Sequence, residues 1–128
     1  MGMPDVSPLI RTVLVIEDNF IIAMDAEEIL ASLGIPQVTI ATNADQAMEL
    51  LALQTFDFAI LDANLGDHTS FGVADVMLAR GLPFGFTSGY GDVELFPVYL
   101  RHIPRIDKPF NERTIGQLIA AGTQKGEA

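Results

Sequence analysis

No cysteine occurs among the 128 residues, which excludes disulfide staples and thiolate metal sites and fits a reducing cytoplasm. Basic residues are few: seven Lys and Arg stand against seventeen Asp and Glu, a formal charge of −10. A surface of that sign is repelled by phosphate backbones, so direct nucleic-acid binding is not expected. No apolar run reaches membrane-spanning length, so no membrane association is expected either. Met1 to Arg11 contains two prolines and an aspartate and no basic stretch leading into an apolar run, so it does not read as a secretory signal. Repeats, low-complexity tracts and linkers are absent too.

Apolar residues make up 49% of the chain, enough for one buried core without staples. Their order carries the fold. Thr12 to Ile16 reads as a strand buried on both faces and ends at Glu17-Asp18-Asn19, with Asn19 as a helix cap. Ile22, Ala26, Ile29 and Leu33 then recur at helical spacing before Gly34. Val38 to Ala41 is a second strand. Asn43 caps a helix whose Ala44, Ala47, Met48 and Leu51 share a face. Phe56 to Leu61 is a third strand that delivers Asp62 at its end. Beyond the polar turn from Gly66 to Ser70, Val73, Val76 and Met77 mark a third helix closed by Gly81.

Pro83 to Thr87 is a fourth strand, running into Ser88-Gly89-Tyr90-Gly91. Asp92 to Leu100 is ambiguous, because Pro97 interrupts any helix there. Ile103 to Asp107 is a fifth strand ending at Lys108-Pro109. Asn111 caps a last helix with Ile115, Leu118 and Ile119 inward. The domain reading is an N-terminal extension over 1–11, one domain over 12–122 and a frayed tail over 123–128. Strand and helix alternate five times with short connections, which predicts an α/β fold: a parallel sheet with helices on both faces.

In an open parallel sheet, ligands bind beyond the carboxyl ends of the strands. Glu17 and Asp18, Asp62, Ser88 and Lys108 all fall there. Clustered carboxylates are unfavourable unless a cation compensates them. An all-oxygen set without Cys or His suits Mg²⁺ rather than Zn²⁺. A hydroxyl and an ammonium beside that ion can stabilise phosphoryl oxygens, and a carboxylate can serve as nucleophile. Plainer roles suit the other polar residues. Gly89 and Gly91 read as positions of unusual backbone angle, His68 and His102 as solvated loop residues, and the five methionines as core residues at helical spacing.

Val-Leu-Val-Ile-Glu-Asp, Ala-Ile-Leu-Asp, Phe-Thr-Ser-Gly-Tyr-Gly and Lys-Pro-Phe together resemble the four signature stretches of the response-regulator receiver family of two-component signalling. They stand in the family's order and close to its spacing, over about residues 12–122. The resemblance implies a flavodoxin-like, doubly wound five-stranded parallel sheet of order 2-1-3-4-5. It implies Asp62 as phosphoacceptor and Asp18 as a direct Mg²⁺ ligand beside Asp62. Glu17 would hold a metal-bound water, and Asn64 would offer its backbone carbonyl. Ser88, rather than its neighbour Thr87, would bond a phosphoryl oxygen. Lys108 would pair with the phosphoryl group, and its bond to Pro109 is expected to be cis.

Two departures stand out. Arg105 occupies a position that is often aromatic in the family and swings inward on activation. The loop after Asp62 reads Ala-Asn-Leu-Gly-Asp without the common Met-Pro. With Pro-Phe-x-Phe-x-x-Gly-Tyr, this is similar to a subgroup of atypical single-domain receivers. Ser88, Tyr90 and Arg105 are the switch candidates. The expected function is a freestanding single-domain response regulator in the cytoplasm, not an enzyme. It would be phosphorylated by a sensor histidine kinase or histidine phosphotransfer protein and would signal to a downstream protein. Its expected state is a monomer or a phosphorylation-dependent dimer. The alternatives are a pseudo-receiver working by contact alone, a small Mg²⁺-dependent phosphatase, and a flavodoxin-like cofactor binder. Asn64 speaks against the phosphatase, since a second acid belongs at that place. The acidic first loop speaks against a bound flavin phosphate.

Overall fold

The computed structural model describes residues 10–123, so most of the extension over 1–11 and most of the tail over 123–128 lie outside the described residues. Five parallel strands form one sheet in the order β2-β1-β3-β4-β5. They are β1 (Thr12–Ile16), β2 (Gln37–Ala41), β3 (Phe58–Asp62), β4 (Phe84–Ser88) and β5 (Arg105–Asp107). Four helices connect and flank them: α1 (Phe20–Ser32), α2 (Ala44–Leu53), α3 (Phe71–Arg80) and α4 (Glu112–Thr123). This is the flavodoxin-like order that the family resemblance implies, and it contains the parallel sheet expected from the alternation of elements. The central strands β3 and β4 are buried at every residue, including Asp62, Thr87 and Ser88 at their carboxyl ends.

Local signals set the helix starts. Asn19 Oδ1 accepts from the amides of Ile21 (3.0 Å) and Ile22 (3.2 Å), and Asn43 Oδ1 accepts from Gln46 N at 2.7 Å. Asn111 and Thr114 cap each other reciprocally, side chain to amide, at 2.9 Å in both directions. Gly81 closes α3 with φ of 69°. Two cores result, one on each face of the sheet. Ala23, Ala26 and Leu30 of α1 and Ile115, Leu118 and Ile119 of α4 cover Val13, Val15, Phe58 and Ile60. Ala47, Leu51, Val73, Ala74 and Met77 of α2 and α3 cover Leu14, Ile16, Ala59, Leu61 and Phe86.

Some expectations need correction. The buried stripe of α1 runs through Ala23, Ala26 and Leu30, while Ile22 and Ile29 are only partly covered. The small alanines let the helix lie close on the sheet. The methionines are not uniformly core residues: Met77 is buried, but Met24 and Met48 are exposed. Gly91 has a φ of 86°, whereas Gly89 is not among the positive-φ residues. The ambiguous segment forms two short 3₁₀ turns, Asp92–Leu95 and Val98–Leu100, parted by Phe96 and Pro97. Proline has no amide hydrogen to carry a helix through. Phe96 and Leu100 anchor the segment in the core, where Phe96 packs on Phe71 and Phe86 with centroids 5.1 and 4.9 Å apart.

Candidate functional site

The carboxyl ends of β1, β3, β4 and β5 open on one edge of the sheet. Parallel register fixes what meets there: Ile16 pairs with Leu61, Asp62 with Thr87, and Ser88 with Asp107. Glu17 and Asp18 follow directly on β1, and Lys108 follows directly on β5. Carboxylate oxygens of Glu17, Asp18 and Asp62 lie within 4.8 Å of one another. Lys108 Nζ stands 2.9 Å from Glu17 Oε1 and 2.9 Å from Asp62 Oδ2. The Lys108–Pro109 bond is cis, as expected.

Burial makes this cluster electrostatically tense. Glu17 and Asp62 are each 3% exposed, while Asp18 faces solvent. Burial pushes Glu17 from 4.5 up to about 7, opposed by its bond to Lys108 and reinforced by the charge of Asp62. Burial raises Asp62 as well, against the pull of Lys108 and the amide of Asn64. Lys108 is itself partly buried, which works against its charge, but hydrogen bonds to Glu17 and Asp62 outweigh that and raise it. One ammonium cannot balance three carboxylates. The unbalanced set, all oxygen and open on one side, fits a hard divalent cation.

The cluster lines a cavity of about 310 Å³ together with Asn19, Ile22, Asn64, Gly66, Gly89 and Asp92. The amide of Asn64 donates to Asp62 Oδ1 at 3.2 Å, and its side-chain oxygen accepts from Gly66 N at 2.9 Å. Ser88 is buried and borders a neighbouring recess with Gly89, Tyr90 and Lys108. Thr87 lines a narrow space beneath Glu17 instead. Among the switch candidates, Tyr90 is fully exposed, and Arg105 lies on the surface with its guanidinium 5.3 Å from the centroid of the Phe96 ring. His68 and His102 are both exposed and stand outside the cavity lining.

Asp92 is the site residue that sequence reasoning missed. Its Oδ2 accepts from Gly89 N at 2.8 Å, and its Oδ1 lies 3.4 Å from Asn64 Nδ2. The signal was an acid three residues past Gly89, a spacing at which a carboxylate folds back on a turn amide.

A family profile described as the response regulator receiver domain matches residues 13–120. Among proteins of curated function no sequence match is found. The solution structure of SdrG from Sphingomonas melonis Fr1 is 30% identical, with a TM-score of 0.80 over 90% of this chain and 98% of that one. The BeF3-activated conformation of SdrG from Pseudomonas melonis Fr1 is 32% identical, with a TM-score of 0.74 over 86% of this chain and 93% of that one. Anti-anti-sigma factor PhyR from Bartonella quintana, solved as a double mutant, is 29% identical with a TM-score of 0.72. That match covers 87% of this chain and 47% of PhyR, so the chain spans about half the length of that relative. With the profile covering most of its length, the chain belongs to the response regulator receiver domain family.

Proposed function

We propose that this receiver accepts a phosphoryl group on Asp62 from the phosphohistidine of a sensor histidine kinase or a histidine phosphotransfer protein. The observation that carries the proposal is the buried Asp62 carboxylate held 2.9 Å from Lys108 beside Glu17 and Asp18. An Asp62 oxygen attacks phosphorus, a P–O bond forms and the P–N bond breaks. The departing imidazole nitrogen keeps the electron pair and takes a proton. Lys108 offsets charge on the phosphoryl oxygens, and Ser88 donates to one of them. Asp18 and Asp62 would bind Mg²⁺, with Glu17 through a water and Asn64 through its backbone carbonyl. That ion, when bound, neutralises charge on the phosphoryl oxygens.

The output is a change in protein binding or onward transfer of the phosphoryl group, in the cytoplasm and with no turnover of a small substrate. A net charge of −10 favours a protein partner over a nucleic acid. The likeness to PhyR, an anti-anti-sigma factor, supports the same choice. Phosphorylation alters a surface by biasing a two-state equilibrium, either in a monomer or through dimerisation.

Intact-mass measurement after incubation with acetyl phosphate and Mg²⁺ tests this reading. One phosphoryl group should add to the wild-type chain, none with EDTA present and none to Asp62→Asn. A wild-type chain that gains no mass would leave it as a contact-only pseudo-receiver.

A further inference from the structure

We infer that Asp92 is an internal competitor of the phosphoryl group, a positioning residue that fastens the first 3₁₀ turn until Asp62 is phosphorylated. The inference rests on the proposed phosphorylation of Asp62. Asp92 bridges two loops that leave neighbouring strands: Gly89 follows β4 and Asn64 follows β3. Both donors line the same cavity as Asp62 and Lys108. Asp92 is also the fourth carboxylate on that cavity lining, against Lys108 as the one cation in it among the described residues.

Phosphorylation replaces the single negative charge of the Asp62 carboxylate with a phosphoryl group carrying about −1.5 to −2, and it brings three acceptor oxygens. Two consequences act in the same direction. The new charge repels the Asp92 carboxylate, and the new oxygens compete for the donors that Asp92 holds. Apart from Asp92, the turn is fastened chiefly at its far end, where Phe96 is buried. The turn Asp92–Leu95 buries none of its side chains and follows Gly91 at φ of 86°. Its other ties are the backbone bonds from Asp92 N to Gly89 O (3.1 Å) and from Phe96 N to Val93 O (3.4 Å). Val93 and Leu95 are half exposed already, so a shifted turn re-presents apolar surface beside the site. The chemistry of Asp62 would thereby reach the surface without an aromatic residue at Arg105.

By linkage, weakening the Asp92 contacts must favour the phosphorylated form. Beryllium trifluoride, a stable stand-in for the phosphoryl group, is titrated by amide NMR at saturating Mg²⁺ into wild type, Asp92→Asn and Asp92→Ala. In the wild type the Gly89 amide resonance should move and the amides of residues 93–95 should exchange faster. Both variants should bind the probe roughly five- to tenfold more tightly. Asn keeps an acceptor for Gly89 and removes only the charge, so a merely structural cap predicts an unchanged Asp92→Asn. Equal affinity of wild type and Asp92→Asn, or a still Gly89 amide, overturns the inference. Intact mass separates the two proposals: a phosphorylated wild type with those null results sinks the role of Asp92 alone. A wild type that gains no phosphoryl mass removes both.

Discussion

Replacing Glu17 by glutamine should stabilise the metal-free protein at alkaline pH and do little at acidic pH. Glu17 is 3% exposed and titrates at about 7 in the fold against 4.5 ordinarily, because burial disfavours its charged form. At about 1.4 kcal/mol per pH unit, ionising it in the folded state costs about 3 kcal/mol relative to the unfolded chain. The sign follows from the raised value. Folding is unpenalised below 4.5, and stability is lost as the pH rises through about 7. A glutamine side chain is close in shape, does not titrate there, and can still accept from Asn19 N, which now donates to Glu17 Oε2 at 3.1 Å. Lys108 keeps its partner Asp62 in the variant. The variant should therefore gain about 3 kcal/mol at high pH, roughly 10 °C in Tm for a domain of this size. The chain has no tryptophan, so urea unfolding is best followed by far-UV circular dichroism in EDTA, near pH 5 and near pH 8. Excess Mg²⁺ should narrow the gap by stabilising the wild type through binding. A variant no more stable than wild type at the higher pH, without divalent ions, would refute the reasoning that burial penalises an ionised Glu17.

Four further perturbations probe the scaffold. A Cβ on Gly85 would stand 2.6 Å from Leu118 Cδ1 in the core, so Gly85→Ala should cost about 1–3 kcal/mol in urea unfolding. Gly116, in α4, has nothing within 4 Å, so the same change there should add about 0.5–1 kcal/mol through helix propensity. Asp57 accepts from Arg11 N at 2.9 Å, Thr12 N at 3.1 Å and Thr12 Oγ1 at 3.2 Å, tying the start of β1 to the entry of β3. Asp57→Ala should cost about 1–2 kcal/mol near neutrality. The bond from the Arg11 amide, chiefly, lowers the Asp57 pKa, so its contribution exists above the ordinary carboxylate range and fades as the pH falls through the folded value. The wild type and the alanine variant should then converge in acid. Arg105→Ala should lower stability by about 0.5–1 kcal/mol, the worth of an exposed cation–π contact, and a larger loss in thermal unfolding would point to a packing role.

The sheet was legible because its inner strands β1, β3 and β4 lie in short, mostly apolar stretches that end in polar residues, and turn signals on either side keep them too short for helices. The site was legible for a related reason. Glu17, Asp18, Asp62, Ser88 and Lys108 sit at or just past the ends of such runs, so locating the strands locates them. Helix faces were harder. The first two turns of α1 are apolar on nearly every side, with Phe20, Ile21 and Met24 exposed, so periodicity could not choose the stripe through Ala23, Ala26 and Leu30. The segment around Pro97 was readable as broken but not as two turns pinned by Phe96 and Leu100. The packing of Phe96 depends on Phe71 and Phe86, which belong to α3 and β4 rather than to the segment itself. Asp92 escaped notice because its meaning comes from Asn64, 28 residues away, as much as from its neighbour Gly89.

The arrangement also explains why one lysine can matter more than its charge. Lys108 N donates to Ser88 O at 2.9 Å, so the residue that carries the ammonium is tied by its own backbone to the end of β4. Its Nζ meanwhile spans Glu17 and Asp62, from β1 and β3. A single residue thus gathers four strands at their carboxyl ends. Any ligand that draws the ammonium away from Glu17 must leave a buried carboxylate to be protonated or to find another cation. A divalent ion among Glu17, Asp18 and Asp62 would meet that need, and its binding would then be coupled to freedom of the lysine. A phosphoryl group on Asp62, as proposed, would then compete with Glu17 for Lys108 and with Asp92 for the loop amides. The same few donors are contested from both sides of the cavity, and a shift in which acceptor holds them is how a local covalent change would reach the surface.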